Sequence, residues 1–166
     1  MDKNYSFLYI SGVFGDHWLG LTHLHILTNQ NFCSLRVELT DWNRQVRVTQ
    51  CSSFLVADEQ DGFRLHVSGC SGDAGDGLTS HNGFEFAMAS AADVEASDSE
   101  HCVGLKYGGW WSSDCAQSNL NGKFYKQNEE SQSDGISWKP LTDAGRGLKR
   151  VEMKIRPRDA EQRLLL

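Results

Sequence analysis

Between Cys102 and Gly122 the sequence reads CVGLKYGGWWSSDCAQSNLNG: two cysteines enclose a glycine pair and a tryptophan pair, and a polar turn follows. Large aromatics demand burial, while the surrounding Gly, Ser and Asn residues favour turns. No strand or helix periodicity runs through the segment, so regular structure is expected to be sparse from Cys102 to Trp138.

Periodic signals lie on either side. Asp16 is placed to cap a helix over His17 to Thr28, with Trp18, Leu21, Leu24, His25 and Thr28 along one face. Leu35, Val37 and Leu39 alternate with Arg36 and Glu38, the pattern of a half-buried strand. Asp41 to Arg44 reads as a turn, after which a second strand starts near Gln45 with Val46 and Val48. Ser53 to Ala57 and Phe63 to Val67 read as another strand pair around Asp58 to Gly62. Gly69 to Gly83 reads as loop and short helix, and Ala87 to Asp98 as loop with at most one helical turn. Val151, Met153 and Ile155 alternate in a last strand that Pro157 ends, and a tail begins near residue 158.

There are 166 residues with no visible repeat or linker, so residues 1–166 read as a single domain. A net charge of −6 argues against a nucleic-acid surface. No apolar run is long enough to span a membrane, and Met1 to Asn4 leads into no signal-peptide core.

If Glu59 to Gly62 forms the turn, Val56 faces Leu65 and Phe54 faces Val67, and the same register sets Cys51 opposite Cys70. Directly opposed residues of an antiparallel pair lie near disulfide range. A cross-strand disulfide is therefore one reading; two buried free thiols is the other and asks for less. Cys33 is left over, as a free thiol or as a link to another chain in an oligomer.

The run Cys102–Gly122 resembles the fibrinogen C-terminal (fibrinogen-related) domain. HWLGLTHLHILT (His17–Thr28), LRVELTDW (Leu35–Trp42), SGDAGDGLTSHNG (Ser71–Gly83), DGISW (Asp134–Trp138) and EMKIRP (Glu152–Pro157) are similar to that family's other signatures, in order. The resemblance implies an α+β fold: a twisted, mainly antiparallel sheet with short flanking helices and a loop-rich C-terminal lobe. It implies a Cys102–Cys115 disulfide closing that lobe. The family's domain begins earlier, with an N-terminal lobe that has no counterpart here, so Met1 is expected to start a fragment, a truncated form or a short form. The missing lobe leaves a fragment without binding activity as one expectation.

By the same resemblance the domain is extracellular and secreted, and acts as a recognition module for a protein partner of receptor or matrix type. The alternative is a pattern-recognition lectin of innate immunity, like ficolins and tachylectins, for acetylated glycans. Those lectins carry an aromatic after the tryptophan pair and a histidine after the second cysteine. Here the places hold Ser112 and Ala116. The expected ligand surface is Trp111, Ser112, Cys115, Ala116, Phe124, Tyr125 and Trp138. A calcium ion is expected on Asp93 and Glu95, hard oxygen donors in a segment with four acids and no Lys or Arg. The ungapped alignment would instead put Val94 and Ala96 there. Catalysis is not expected, because no nucleophile elbow or zinc-ligand spacing is present. His81, in the His81-Asn82-Gly83 motif, reads as a turn histidine.

Overall fold

A computed structural model describes residues 6–10, 17–88, 108–111, 117–127, 129, 134–141 and 147–158. Its centre is the strand written by Leu35, Val37 and Leu39. This strand, β3 (Cys33–Thr40), alternates buried and half-buried along its whole length. It pairs with β4 (Val46–Val56) on one side and with the C-terminal strand β10 (Arg150–Pro157) on the other. Together with β1 (Ser6–Ile10), β2 (His17–Trp18) and β5 (Leu65–Ser71) they form a six-stranded antiparallel sheet in the order β2-β1-β10-β3-β4-β5. The fold is α+β, as expected.

Two local readings are corrected. The helix α1 runs Leu21–Gln30 rather than from His17. His17 and Trp18 instead pair with Ile10 and Tyr9 in a ladder. Gly20, at φ 86°, separates the two conformations in a region that disfavours other residues. The strands read separately around Val46–Val48 and Ser53–Ala57 are one strand, β4, and its partner β5 runs to Ser71 rather than ending at Val67.

The helix docks on the end of β4 that β3 does not reach. Thr28 Oγ1 donates to the Leu24 carbonyl at 2.8 Å and accepts from the Val56 N–H at 3.1 Å, and Asn29 Nδ2 donates to the Val56 carbonyl at 2.8 Å. The helix thereby satisfies backbone groups that would otherwise be an unpaired strand edge.

The register expected for β4 and β5 is found: Val56 opposes Leu65, Phe54 opposes Val67, and Cys51 opposes Cys70. The latter pair is bonded, with an S–S distance of 2.05 Å. Burial changes phase between Cys51 and Phe54, where β3 and β4 also slip register by one residue. Gly69, at φ 65°, lies against Ser52 at this point, and β4 and β5 stay in one register throughout. Cys51, Phe54, Val56, Leu65 and Val67 all lie in the core. Cys33 is a free thiol, 2% exposed, whose S–H points to the Asn31 carbonyl at 3.3 Å. Burial pushes its pKa up. Of the two readings of Cys33, this burial fits the free thiol.

The opposite face of the sheet carries charge. Glu38 of β3 lies directly across from Glu152 of β10. Lys154 Nζ bridges them, at 2.6 Å from Glu38 and 2.9 Å from Glu152, while Arg36 and Arg150 pair with the outer oxygens. Burial raises the Glu38 carboxyl, but the hydrogen bonds from Lys154 and Arg36 outweigh it and hold the group below the usual range.

Candidate functional site

The sheet's core face supports the loop-rich lobe through tryptophans. Trp110 and Trp111 sit on β7 (Gly109–Trp111), which pairs with β6 (Phe86–Met88). Trp111 packs edge-on against Phe54 of β4 and Phe86 of β6, with ring centroids 6.3 and 5.3 Å away, and its indole N–H donates to the Phe63 carbonyl at 2.8 Å. Trp138, on β9 (Ser137–Trp138), is fully buried and donates to the Ala74 carbonyl at 2.9 Å. Gly77 is required there: a Cβ at this position would sit 2.7 Å from the Trp138 ring. Strand β9 pairs with β8 (Ser118–Asn119). Trp111 and Trp138, which the sequence reading placed on the ligand surface, are buried in the core with their indole N–H groups committed to backbone carbonyls.

His81 organises the lobe. It ends a 3₁₀ turn (Thr79–His81) and is 2% exposed. Its Nδ1 lies 2.5 Å from the Trp111 carbonyl oxygen, and its Nε2 accepts from the backbone N–H groups of Gln117 (3.2 Å) and Ser118 (3.1 Å). These partners assign the proton to Nδ1 and leave the ring neutral. Burial pushes its pKa below the ordinary value, outweighing the Trp111 hydrogen bond and the charge of Asp76. Asp76 accepts from the N–H groups of Leu78 and Thr79 and so caps the turn that carries His81. The ring thus holds Trp111 and Gln117 at fixed positions, the residues that flank 112–116 in sequence. A turn histidine was legible in the motif; its role as a clamp between distant segments was not.

Among the expected ligand residues, Phe124 is 47% exposed and Tyr125 is half-buried. Tyr125 donates to Asp134 Oδ1 at 2.6 Å, and Lys123 Nζ lies 4.9 Å from its ring centroid. The Lys123 N–H donates to the Asp134 carbonyl and the Lys123 carbonyl accepts from the Ile136 N–H, which fixes the backbone leading into Phe124 and Tyr125. Ser112, Cys115 and Ala116, the Cys102–Cys115 disulfide, and the calcium residues Asp93 and Glu95 lie outside the described residues.

The sequence did not reveal a second surface. The ring of Trp42, in the β3–β4 turn, lies 5.9 Å from that of Phe124, and Lys149 Nζ lies 6.0 Å from the Trp42 centroid. A cavity of about 310 Å³ opens beside them. Neither motif signalled this contact, because the two aromatics are far apart in sequence.

With the sheet, the tryptophan anchors and the His81 clamp described, the class follows. Residues 3–158 match the family of C-terminal globular domains found in the fibrinogen beta and gamma chains. The protein belongs to that family. It is 37% identical over 153 residues to fibrinogen C domain-containing protein 1 of Xenopus tropicalis, covering 89% of this chain and 33% of that protein. It is 40% identical over 147 residues to angiopoietin-related protein 7 of Bos taurus, covering 87% of this chain and 42% of that protein. The chain therefore spans well under half the length of these relatives. The fold aligns with the fibrinogen-like globe domain of human ANGPTL2 at a TM-score of 0.78 and 26% identity, covering 95% of this chain and 82% of that one. The corresponding domain of human ANGPTL6 aligns at a TM-score of 0.77 and 28% identity, covering 92% and 78%. Among the described residues no helix is long and apolar enough to cross a membrane.

Proposed function

We propose that this domain is a non-catalytic, extracellular recognition module that binds a protein partner through the surface around Ser112 to Tyr125. The observation that carries the reading is the His81 clamp. A buried histidine with both ring nitrogens committed to backbone groups has no nitrogen left for proton transfer, and it spends them fixing Trp111 and Gln117, which flank 112–116. Further along the chain come an exposed Phe124 and a Tyr125 oriented by Asp134, the rigid aromatic anchors that protein interfaces favour. Ser112 and Ala116 replace the ring and imidazole that an acetyl-sugar site of the lectin type relies on, which favours the protein partner over the lectin reading. Calcium on Asp93 and Glu95 is part of the proposal, as carboxylate donors for a hard cation.

The test is capture of the protein on a panel of receptor ectodomains and matrix proteins stripped of their glycans. Retained binding, weakened by Tyr125→Ala, supports the reading. Loss of all binding on deglycosylation, or elution by N-acetylglucosamine, overturns it.

A further inference from the structure

We propose that the Cys51–Cys70 bond is a site of thiol–disulfide exchange, entered at Cys70 by a dithiol oxidoreductase, and that opening it loosens the strand on which the C-terminal lobe is seated. The site uses other residues than the protein-partner surface and does not rest on that reading.

The two cysteines differ in access. Cys51 lies inside the sheet on β4 and is 1% exposed, whereas Cys70 is half-buried on β5, the last strand of the sheet. Its neighbours Ser68, Gly69 and Ser71 are all exposed and none is larger than serine, so no bulky side chain of β5 screens it. Disulfides that a thiolate can reach are the reducible ones. The step is then ordered. One thiolate of the reductant attacks Cys70 Sγ, the Cys51–Cys70 bond breaks, and the Cys51 sulfur leaves with the electron pair and takes a proton. The second thiolate of the reductant attacks its own sulfur in the mixed disulfide, and the Cys70 sulfur leaves and is protonated in turn. The reductant ends as a disulfide and the protein as two thiols, which the ladder keeps opposed and ready to re-form the bond. Cys33 does not compete for either sulfur. It is 2% exposed, its S–H is directed at the Asn31 carbonyl, and burial raises its pKa and so suppresses its thiolate.

What the bond holds follows from the two ends of β5. At one end Leu65 N–H donates to the Phe84 carbonyl at 3.0 Å, Gly83 N–H to the Leu65 carbonyl at 2.8 Å, and Val67 N–H to Asn82 Oδ1 at 2.8 Å. The strand thus carries the turn that follows His81. Just past the other end, the Ala74 carbonyl accepts from the Trp138 indole at 2.9 Å, and the Ala74 N–H donates to the Val48 carbonyl at 3.1 Å. Cys70 lies between these two attachments. Around it Ser68, Gly69 and Ser71 bury no apolar side chain, so packing holds this stretch least and the disulfide supplies the tie. Once the bond is open, the end of β5 exchanges between paired and unpaired states, and both attachments of the lobe loosen with it. Strands β3 and β10 lie on the far side of β4 and keep their pairing.

The test treats the native, oxidised protein with thioredoxin, its reductase and NADPH, then alkylates free thiols and maps them by mass spectrometry. Cys51 and Cys70 should be labelled while Cys33 stays unlabelled until denaturant is added. Thioredoxin lacking its second active-site cysteine should be trapped on the Cys70 peptide. Amide hydrogen exchange of the reduced protein should quicken by roughly tenfold or more at residues 68–75 and 82–84, with β3 and β10 unchanged and the oxidised pattern restored on reoxidation. Four results would overturn the proposal: no reduction until Cys33 is also labelled, trapping on Cys51, unchanged exchange at 82–84, or faster exchange through β3 and β10 as well, which would make the bond a global staple only. None of these readouts involves a binding partner, so this reading and the protein-partner reading fail separately.

Discussion

The Nδ1 of His81 lies 2.5 Å from the carbonyl oxygen of Trp111, a residue thirty positions further on. The same ring accepts from the backbone N–H groups of Gln117 and Ser118, so one side chain joins three segments of the lobe. His81→Ala removes the partner of a buried donor at Ser118, a half-buried donor at Gln117 and the Trp111 carbonyl. Thermal or urea unfolding should report a loss of about 3–5 kcal/mol, with the Trp fluorescence of the lobe altered.

Acid should act through the same residue. The folded ring has a pKa depressed by burial, while the unfolded ring keeps its ordinary value near 6.5. The unfolded state then binds the proton more readily. The His81 contribution is fully present above about pH 6.5 and is lost as pH falls through the window below it, down to the depressed folded value. Unfolding free energy measured from about pH 7.5 to 5 should fall with acid, and His81→Asn should flatten that part of the profile. An unchanged slope in the variant would assign the acid sensitivity elsewhere.

The Cys51–Cys70 bond ties β4 to β5, across a sequence separation of 19. Replacing both cysteines by alanine should cost roughly 3 kcal/mol, or about 6–12 °C in Tm for a protein of this size. A non-reducing peptide map should contain the linked 51–70 peptide and an unlinked Cys33 peptide.

Lys154→Met leaves Glu38 and Glu152 facing each other with only the outer arginines as counter-charges. Removing one member of a half-buried charge cluster should cost about 2 kcal/mol, less than for a fully buried pair because water still screens the site. Adding Glu152→Gln should restore part of that loss, which a double-mutant cycle measures.

Calcium on Asp93 and Glu95 predicts a rise in Tm. At about 100 times the dissociation constant, one site contributes roughly 2.7 kcal/mol, a shift of about 5–11 °C. Asp93→Asn should abolish the shift. A transition indifferent to calcium in the parent protein would mean an ion-free module.

Much of the sheet was legible because its residues alternate. Leu35, Val37 and Leu39 announced β3, and Val151, Met153 and Ile155 announced β10. The register of Cys51 on Cys70 followed from the turn between β4 and β5, since in an antiparallel pair each step back along one strand is matched by one step forward along the other. The start of α1 was misplaced because His17 and Trp18 fit a helical face as well as a ladder, and a strand partner, here Tyr9 and Ile10, lies outside any local pattern.

The candidate site divides along the same line. Local composition determined which residues would be strand, turn or core, since burial periodicity and turn chemistry act over a few neighbours. Tertiary structure decided that Trp111 and Trp138 are buried core anchors, that Cys33 is enclosed, and that His81 binds Trp111 to Gln117 and Ser118. It also decided that Trp42 meets Phe124. Each of those outcomes depends on which distant side chain fills a given space once the sheet has closed its core, and no local pattern encodes that choice.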